Sequence, residues 1–524
     1  AITATSLDVT NSADAVVLTS AANSLTAMTV TAGAGSEASI GETMNTITTG
    51  SGADTITGGA YKDVITSGSG SDSVTAGAGD DTITTTFGND YVDGGAGNDT
   101  ITDSVGNDTL IGGDGNDTIS TAAGADSVSG GAGNDKIYVT TLGANDTIDG
   151  GAGTDALSLS ATSTTLAASF YSDVTESTAL NITGVESAYI QVTTAAANTT
   201  AAPLNLDFTS VTDLTTLYLD TVSADAEAYK ITNFGGSSLI LSELAAGQDP
   251  ESINIDGADQ ASLTVSVRGL KPATGDQIDS TVTGVTALTI SGDSYVSTTA
   301  QSNELGAVTA NSVDTITIST TGTGGYAANA NALLLEGVSA DNAQTVTIDV
   351  GAGDTLTSDD DIDTGNSIAQ TVAVTIGENS TLTISGNDLD LGSSTVNTLT
   401  LTSGIGATIS TLDIAATSVA DFNGTLSASS TNALDLDFAI TDGDVAMSTG
   451  STWTLATAGA ASAASDLVIT GYGSVSGAGA LAGSTFTFDA SGLTDSNGLT
   501  VTGASLSGVA TLKGSTGADQ YALN

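Results

Sequence analysis

GGAGNDTIT (Gly94–Thr102), DSVGNDTLI (Asp103–Ile111) and GGDGNDTIS (Gly112–Ser120) are three successive nines built on one plan. A glycine stands fourth, an aspartate sixth and an aliphatic residue eighth. Extending the frame outward fills Thr49–Ser158. The sixth place is taken by Asp54, Asp63, Asp72, Asp81, Asp90, Asp99, Asp108, Asp117, Asp126 and Asp135, and, across a two-residue insertion within Val139–Asp149, by Asp146 and Asp155. The eighth place is Ile56, Ile65, Val74, Ile83, Val92, Ile101, Leu110, Ile119, Val128, Ile137, Ile148 and Leu157. General richness in Gly and Asp does not place two residue types so regularly.

The pattern has a physical reading. The last three residues of a frame form a short strand whose eighth-place side chain points inward, and the six before it form a turn. Two frames close one coil of eighteen residues, so successive coils stack as parallel strands about 4.8 Å apart. Stacking sorts the aspartates into two columns. One holds Asp54, Asp72, Asp90, Asp108, Asp126 and Asp146; the other holds Asp63, Asp81, Asp99, Asp117, Asp135 and Asp155. Carboxylates at that spacing repel by about 1 kcal/mol per neighbouring pair in water, and by several at an effective dielectric near 20. A Ca²⁺ between adjacent turns reverses the sign, because it takes about six to eight oxygen ligands. The predicted metal set is these twelve aspartates with Gly58, Gly94, Gly112, Gly130 and Gly150, whose freedom lets turn carbonyls face the ion. The first column has lost its Gly-Gly openings, as at Thr85-Thr86, Asp103-Ser104 and Thr121-Ala122, while keeping Gly88, Gly106 and Gly124. Weaker or fewer ions are expected there.

Composition narrows the function. The 524 residues include no Cys and no His, which removes disulfides, thiolate metal sites, catalytic triads and HExxH zinc sites. Sixty acidic residues face six basic ones, for a net charge of -54. No basic patch exists to displace counterions, so nucleic acid is excluded as a partner and divalent cations are favoured. Mean hydropathy is +0.17 and aromatics are 4%. Recurrent alternating β-branched residues then point to an all-β chain with narrow layers. No apolar run reaches the roughly 18 residues that span a bilayer, so no membrane insertion is expected. The chain opens at Ala1 without a charged segment ahead of an apolar one, as a mature chain or a fragment does.

Three regions are expected: leading strands over 1–48, the calcium-binding parallel β-roll over 49–158, and a Thr/Ala-rich region over 159–524. The last shows many short strands, such as Thr315–Ser319, Thr345–Val350 and Thr371–Ile376, punctuated by Gly, Asn, Asp and Ser. This predicts a β-solenoid or stacked β-sandwiches, with a turn or two of helix at Thr299–Val308 and Asn329–Leu335. A second acidic cluster, Asp354, Asp359, Asp360, Asp361 and Asp363, reads as a solvated loop more readily than as a site.

The nines resemble the RTX repeat, GGxGxDxUx, of proteins secreted by type I systems, and that resemblance implies a calcium-binding parallel β-roll. Phrases such as GVTALTISGD (Gly284–Asp293), NITGVESAY (Asn181–Tyr189) and FDASGLT (Phe488–Thr494) resemble the Thr/Ala-rich body of Caulobacter-type and Campylobacter-type S-layer proteins. That likeness implies export, a location at the bacterial cell surface, and self-assembly into a calcium-dependent lattice or filament, with cell-surface polysaccharide as a further partner. Two departures from the S-layer pattern stand out: no helical anchoring segment is visible, and the sequence stops just after KGSTGAD (Lys513–Asp519), which resembles the start of another frame. The leading reading is a structural surface protein rather than an enzyme. The alternatives are an RTX adhesin and a carboxylate-dependent polysaccharide-active enzyme, the latter disfavoured by six scattered basic residues.

Overall fold

Every eighth-place side chain of the array is buried at 2% exposure or less, from Ile56 to Leu157. Alternation with exposed Thr and Ser puts these side chains on one face of each short strand, as the period of two requires. In the computed structural model the strands stack so that the aliphatics form two continuous ladders. Ile56 pairs with Val74, Val74 with Val92 and Leu110 with Val128, while Ile65 pairs with Ile83, Ile83 with Ile101 and Ile101 with Ile119. Each step is eighteen residues, as in the pairing of Asp54 with Asp72, and twenty across the insertion. The spacing read from the sequence is therefore the coil of the roll.

The structure describes residues 6–9, 17–19, 29–32, 45–141, 145–162, 181–193, 204–209, 211–221, 228–243, 252–268, 279–292, 302–320, 332–364, 370–384, 389–391, 395–409, 412–428, 432–440, 442–456, 465–476, 480–481, 484–489, 497–502, 505–506, 510–513 and 518–522. Among these residues there are strands, turns and bends and no helix. The chain divides into two compact units, Ala1–Ser237 and Ser238–Asn524.

In the first unit one sheet runs through Ser6–Val9, Thr29–Ala32, Thr55–Thr57, Ser73–Ala78, Tyr91–Ala96, Thr109–Asp114, Ser127–Ala132, Thr147–Ala152 and Asn181–Thr183. The other face carries Val17–Thr19, Asn45–Thr48, Asp63–Ser69, Thr82–Phe87, Thr100–Thr102, Thr118–Thr121, Lys136–Val139, Ala156–Thr162 and Ser187–Thr193, paired in that order. All these pairings are parallel. The leading strands therefore stack on the roll, and the roll's pairing continues into Ser187–Thr193 after a longer coil.

The second unit is also a parallel stack, with longer and unequal coils. Leu288, Ile316, Val346, Val372 and Leu399 form one buried ladder, each at 1% exposure or less. Parallel pairing selects the solenoid over the sandwich, whose sheets are antiparallel. The helical turns expected at Thr299–Val308 and Asn329–Leu335 are not there. Strands Ser302–Thr309 and Ala332–Ser339 occupy those places and pair with each other, Leu305 opposite Leu335 and Val338 opposite Val308. Burial of Leu333, Leu335 and Val338 shows why: tertiary pairing offers those side chains a core that an isolated turn cannot. Residues 299–301 and 329–331 lie outside the described residues.

Because the two ladders of aliphatics make up most of the apolar interior of the roll, each residue in them matters. Ile119→Ala is expected to destabilise the calcium-loaded roll by about 3 kcal/mol, the usual cost of emptying a buried Ile site. A lowered urea midpoint with an unchanged slope would show it.

Candidate metal centre

The sixth-place aspartates lie where each strand begins, and all twelve are at most 4% exposed. Such burial of carboxylates without basic partners is rare. In the first column the backbone amides of Asp54, Asp72, Asp90, Asp108 and Asp126 donate to Oδ1 of Asp72, Asp90, Asp108, Asp126 and Asp146 at 2.7 to 3.0 Å. In the second, Asp63, Asp81, Asp99, Asp117 and Asp135 donate to Asp81, Asp99, Asp117, Asp135 and Asp155 at 2.6 to 2.8 Å. One oxygen of each stacked carboxylate is thus held by the preceding coil.

In Asp63 and Asp126 the other oxygen accepts from the Gly59 amide and the Thr121 hydroxyl; in most of the rest it has no such support. Oδ2 of Asp81, Asp90, Asp99, Asp108, Asp117, Asp135 and Asp155 is buried without a hydrogen-bond partner. Leaving a buried polar atom unsatisfied costs about 1–3 kcal/mol, and more when it is charged. A run of such oxygens in register fits a column of hard cations. The same burial governs protonation. Desolvation together with the neighbouring Asp103 carboxyl pushes Asp108 to about 8; desolvation, opposed by the incoming backbone amides, pushes Asp81 and Asp117 up to about 7 and Asp90 and Asp99 to about 6. Asp63, Asp72, Asp135 and Asp155 are raised for the same reason.

The glycines divide the work between them. The left-handed bend falls on the second and fourth places, as at Gly95 (φ 105°) and Gly97 (φ 135°). The first-place glycines instead leave room. A Cβ at Gly58, Gly94, Gly112 or Gly130 would overlap Oδ2 of Asp63, Asp99, Asp117 or Asp135 and a backbone carbonyl oxygen of the next coil. At Gly150 it would strike the Gly184 carbonyl and crowd Asp155. For Asp99, Asp117 and Asp135 an unpartnered carboxylate oxygen and a carbonyl oxygen therefore border the same small space. Gly112→Ala should raise the calcium concentration needed for half-maximal folding at least about tenfold, since about 1.4 kcal/mol suffices for that; a calcium titration followed by circular dichroism measures it.

Three participants were not among the predicted residues. Asn45 starts the second column, donating from its amide nitrogen to Asp63 Oδ1 at 2.6 Å. Glu186 ends it, accepting from the Asp155 backbone amide through Oε2 at 2.6 Å. Both occupy the sixth place of degenerate frames, IGETMNTIT over 40–48 and NITGVESAY over 181–189, whose eighth places are the buried Ile47 and Ala188. The third is Asp103, which opens its frame in place of glycine. Among the described residues the one group of three or more convergent acids is Asp90, Asp103 and Asp108, with one oxygen of each within 4.8 Å of the others. The cluster from Asp354 to Asp363 does not converge in this way; Asp354 is buried and accepts from the Thr320 hydroxyl at 2.9 Å.

A second ladder runs beside the aspartates at the fifth place. Asn98, Asn116, Asn134 and Thr154 donate their amides to Asp80, Asn98, Asn116 and Asn134 of the preceding coil at 2.6 to 2.9 Å. Fifth-place side chains thus reach forward and sixth-place side chains back, which ties these turns to both neighbours.

This is the architecture of a calcium-binding parallel β-roll. Residues 41–74, 48–83, 66–101, 102–137 and 138–162 match the RTX calcium-binding nonapeptide repeat. Comparison with curated proteins and with solved structures returned no match. The matched segments coincide with the buried Asp columns, and together they fit Ca²⁺.

Proposed function

We propose that this protein is a structural component of a bacterial cell surface, exported unfolded and assembled outside the cell into a calcium-dependent lattice or filament. The carrying observation is the pair of buried Asp columns with unpartnered oxygens, which makes folding conditional on calcium. The sixth-place aspartates and first-place glycines hold the ions, residues 1–48 lead into the roll, and residues 159–524 provide the non-catalytic scaffold.

Assembly follows from charge. A chain carrying -54 repels its copies, so close contact between subunits needs that charge offset. Each calcium bound in the roll removes two charges, and ions at subunit contacts remove more. Millimolar calcium outside the cell then switches on both the fold and the contact. Light scattering and electron microscopy across a calcium series should show ordered sheets or filaments appearing near millimolar calcium. A chain that stays monomeric there with its roll folded by circular dichroism would refute assembly and leave the adhesin reading.

A further inference from the structure

The two columns differ in what opens their frames. Along the second column the opening residue is Gly58, Ala76, Gly94, Gly112, Gly130 or Gly150; along the first it is Thr49, Ser67, Thr85, Asp103 or Thr121, all buried. Side chains therefore enter the space that the glycines leave clear. Four bring hydroxyls, such as that of Thr121, which donates to Asp126 Oδ2. Asp103 alone among them brings a carboxylate.

That carboxylate meets those of Asp90 and Asp108 within 4.8 Å. The three residues are 3%, 4% and 2% exposed for Asp90, Asp103 and Asp108. In each, Oδ1 is already held: on Asp90 by the Asp72 amide, on Asp108 by the Asp90 amide, and on Asp103 by the Thr85 hydroxyl. In each, Oδ2 is buried with no hydrogen-bond partner. Hydrogen bonds thus fix the three groups while leaving one oxygen apiece to offer.

We propose that Asp90, Asp103 and Asp108 form a three-carboxylate cation site, set apart from the other positions of the roll, and that it is the first to load with calcium. The inference rests on the roll being calcium-bound. Hard cations are held by oxygen number and ligand charge. Elsewhere in the columns an ion meets stacked aspartates and backbone carbonyls; here a third formal charge is added without any basic residue to offset it. The expectation of weaker binding in this column is thereby reversed at this one place.

The test uses the full chain, with calcium titrated against a chromophoric chelator and Tb³⁺ as a luminescent probe. The wild type should bind one ion at a free calcium concentration at least tenfold below that required by the rest, and one Tb³⁺ correspondingly early. Asp103→Asn keeps the side-chain volume and the acceptor for Thr85, and Asp103→Gly restores the repeat's own residue. Each should lose that one tight ion, while circular dichroism shows the roll still folding on calcium. Retention of the tight ion in a folded variant, or a single class of sites in a wild type that folds on calcium, overturns this site alone. A wild type that binds no calcium overturns both readings.

Discussion

Removing calcium should abolish the order of residues 45–162, with amide protection in that segment lost on addition of a chelator. Without ions, stacked carboxylates about 4.8 Å apart repel by roughly 3–4 kcal/mol per pair at an effective dielectric near 20. With them, one ion present at about 100 times its Kd contributes about 2.7 kcal/mol. A few ions therefore match the whole stability of an ordinary domain, about 5–15 kcal/mol. Strands of the second unit such as Thr345–Val350, built on buried aliphatics, should keep their protection. Calcium should restore the roll and magnesium should do so poorly, because Mg²⁺ demands octahedral geometry and sheds water reluctantly. Unchanged exchange and an unchanged melting curve in chelator would sink the calcium reading.

Acid should partly replace calcium. In the metal-free chain Asp90 and Asp99 lie near 6, Asp81 and Asp117 near 7, and Asp108 near 8, all raised chiefly by burial. The unfolded chain has ordinary aspartates near 3.9. Folded pKa values above unfolded ones mean that the folded roll binds protons more tightly. Their contribution to stability is fully present below about pH 4 and is lost as pH rises through about 6 to 8. The chelated roll should therefore gain β-structure as pH falls from 8 to 5, whereas calcium affinity should weaken over the same range as protons compete for the carboxylates. Circular dichroism in chelator at the two pH values decides it; equal disorder at both would mean that proton uptake does not stabilise the stack.

Much of the roll was legible in the linear sequence because every coil repeats the same local demand. A frame must turn sharply, which requires Gly at places such as Gly95 and Gly97, and must bury one aliphatic, which places Ile101 or Ile119. The ends of the array were harder to see. Asn45 and Glu186 lie in frames that keep the stacking but not the Gly-Gly opening or the aspartate, and Glu186 reaches Asp155 over 31 residues rather than eighteen. NITGVESAY (Asn181–Tyr189) is in the fold one more frame of the roll, pairing with both of its faces.

The sequence by itself determined the coil length, the inward ladder and the two columns of aspartate, because those follow from a period and from side-chain direction along a strand. Only the tertiary structure decided which carboxylate oxygen each column leaves unpartnered, that the first-place glycines clear space while the second- and fourth-place glycines bend the chain, and that Asp103 joins Asp90 and Asp108. The reason is geometric. A periodic sequence specifies which residues stack, but which atoms face one another across two coils depends on how the turns lie against each other. Pairing choice in the second unit has the same cause: Ser302–Thr309 and Ala332–Ser339 are strands because each finds the other across a coil, a partner that neither segment contains within itself.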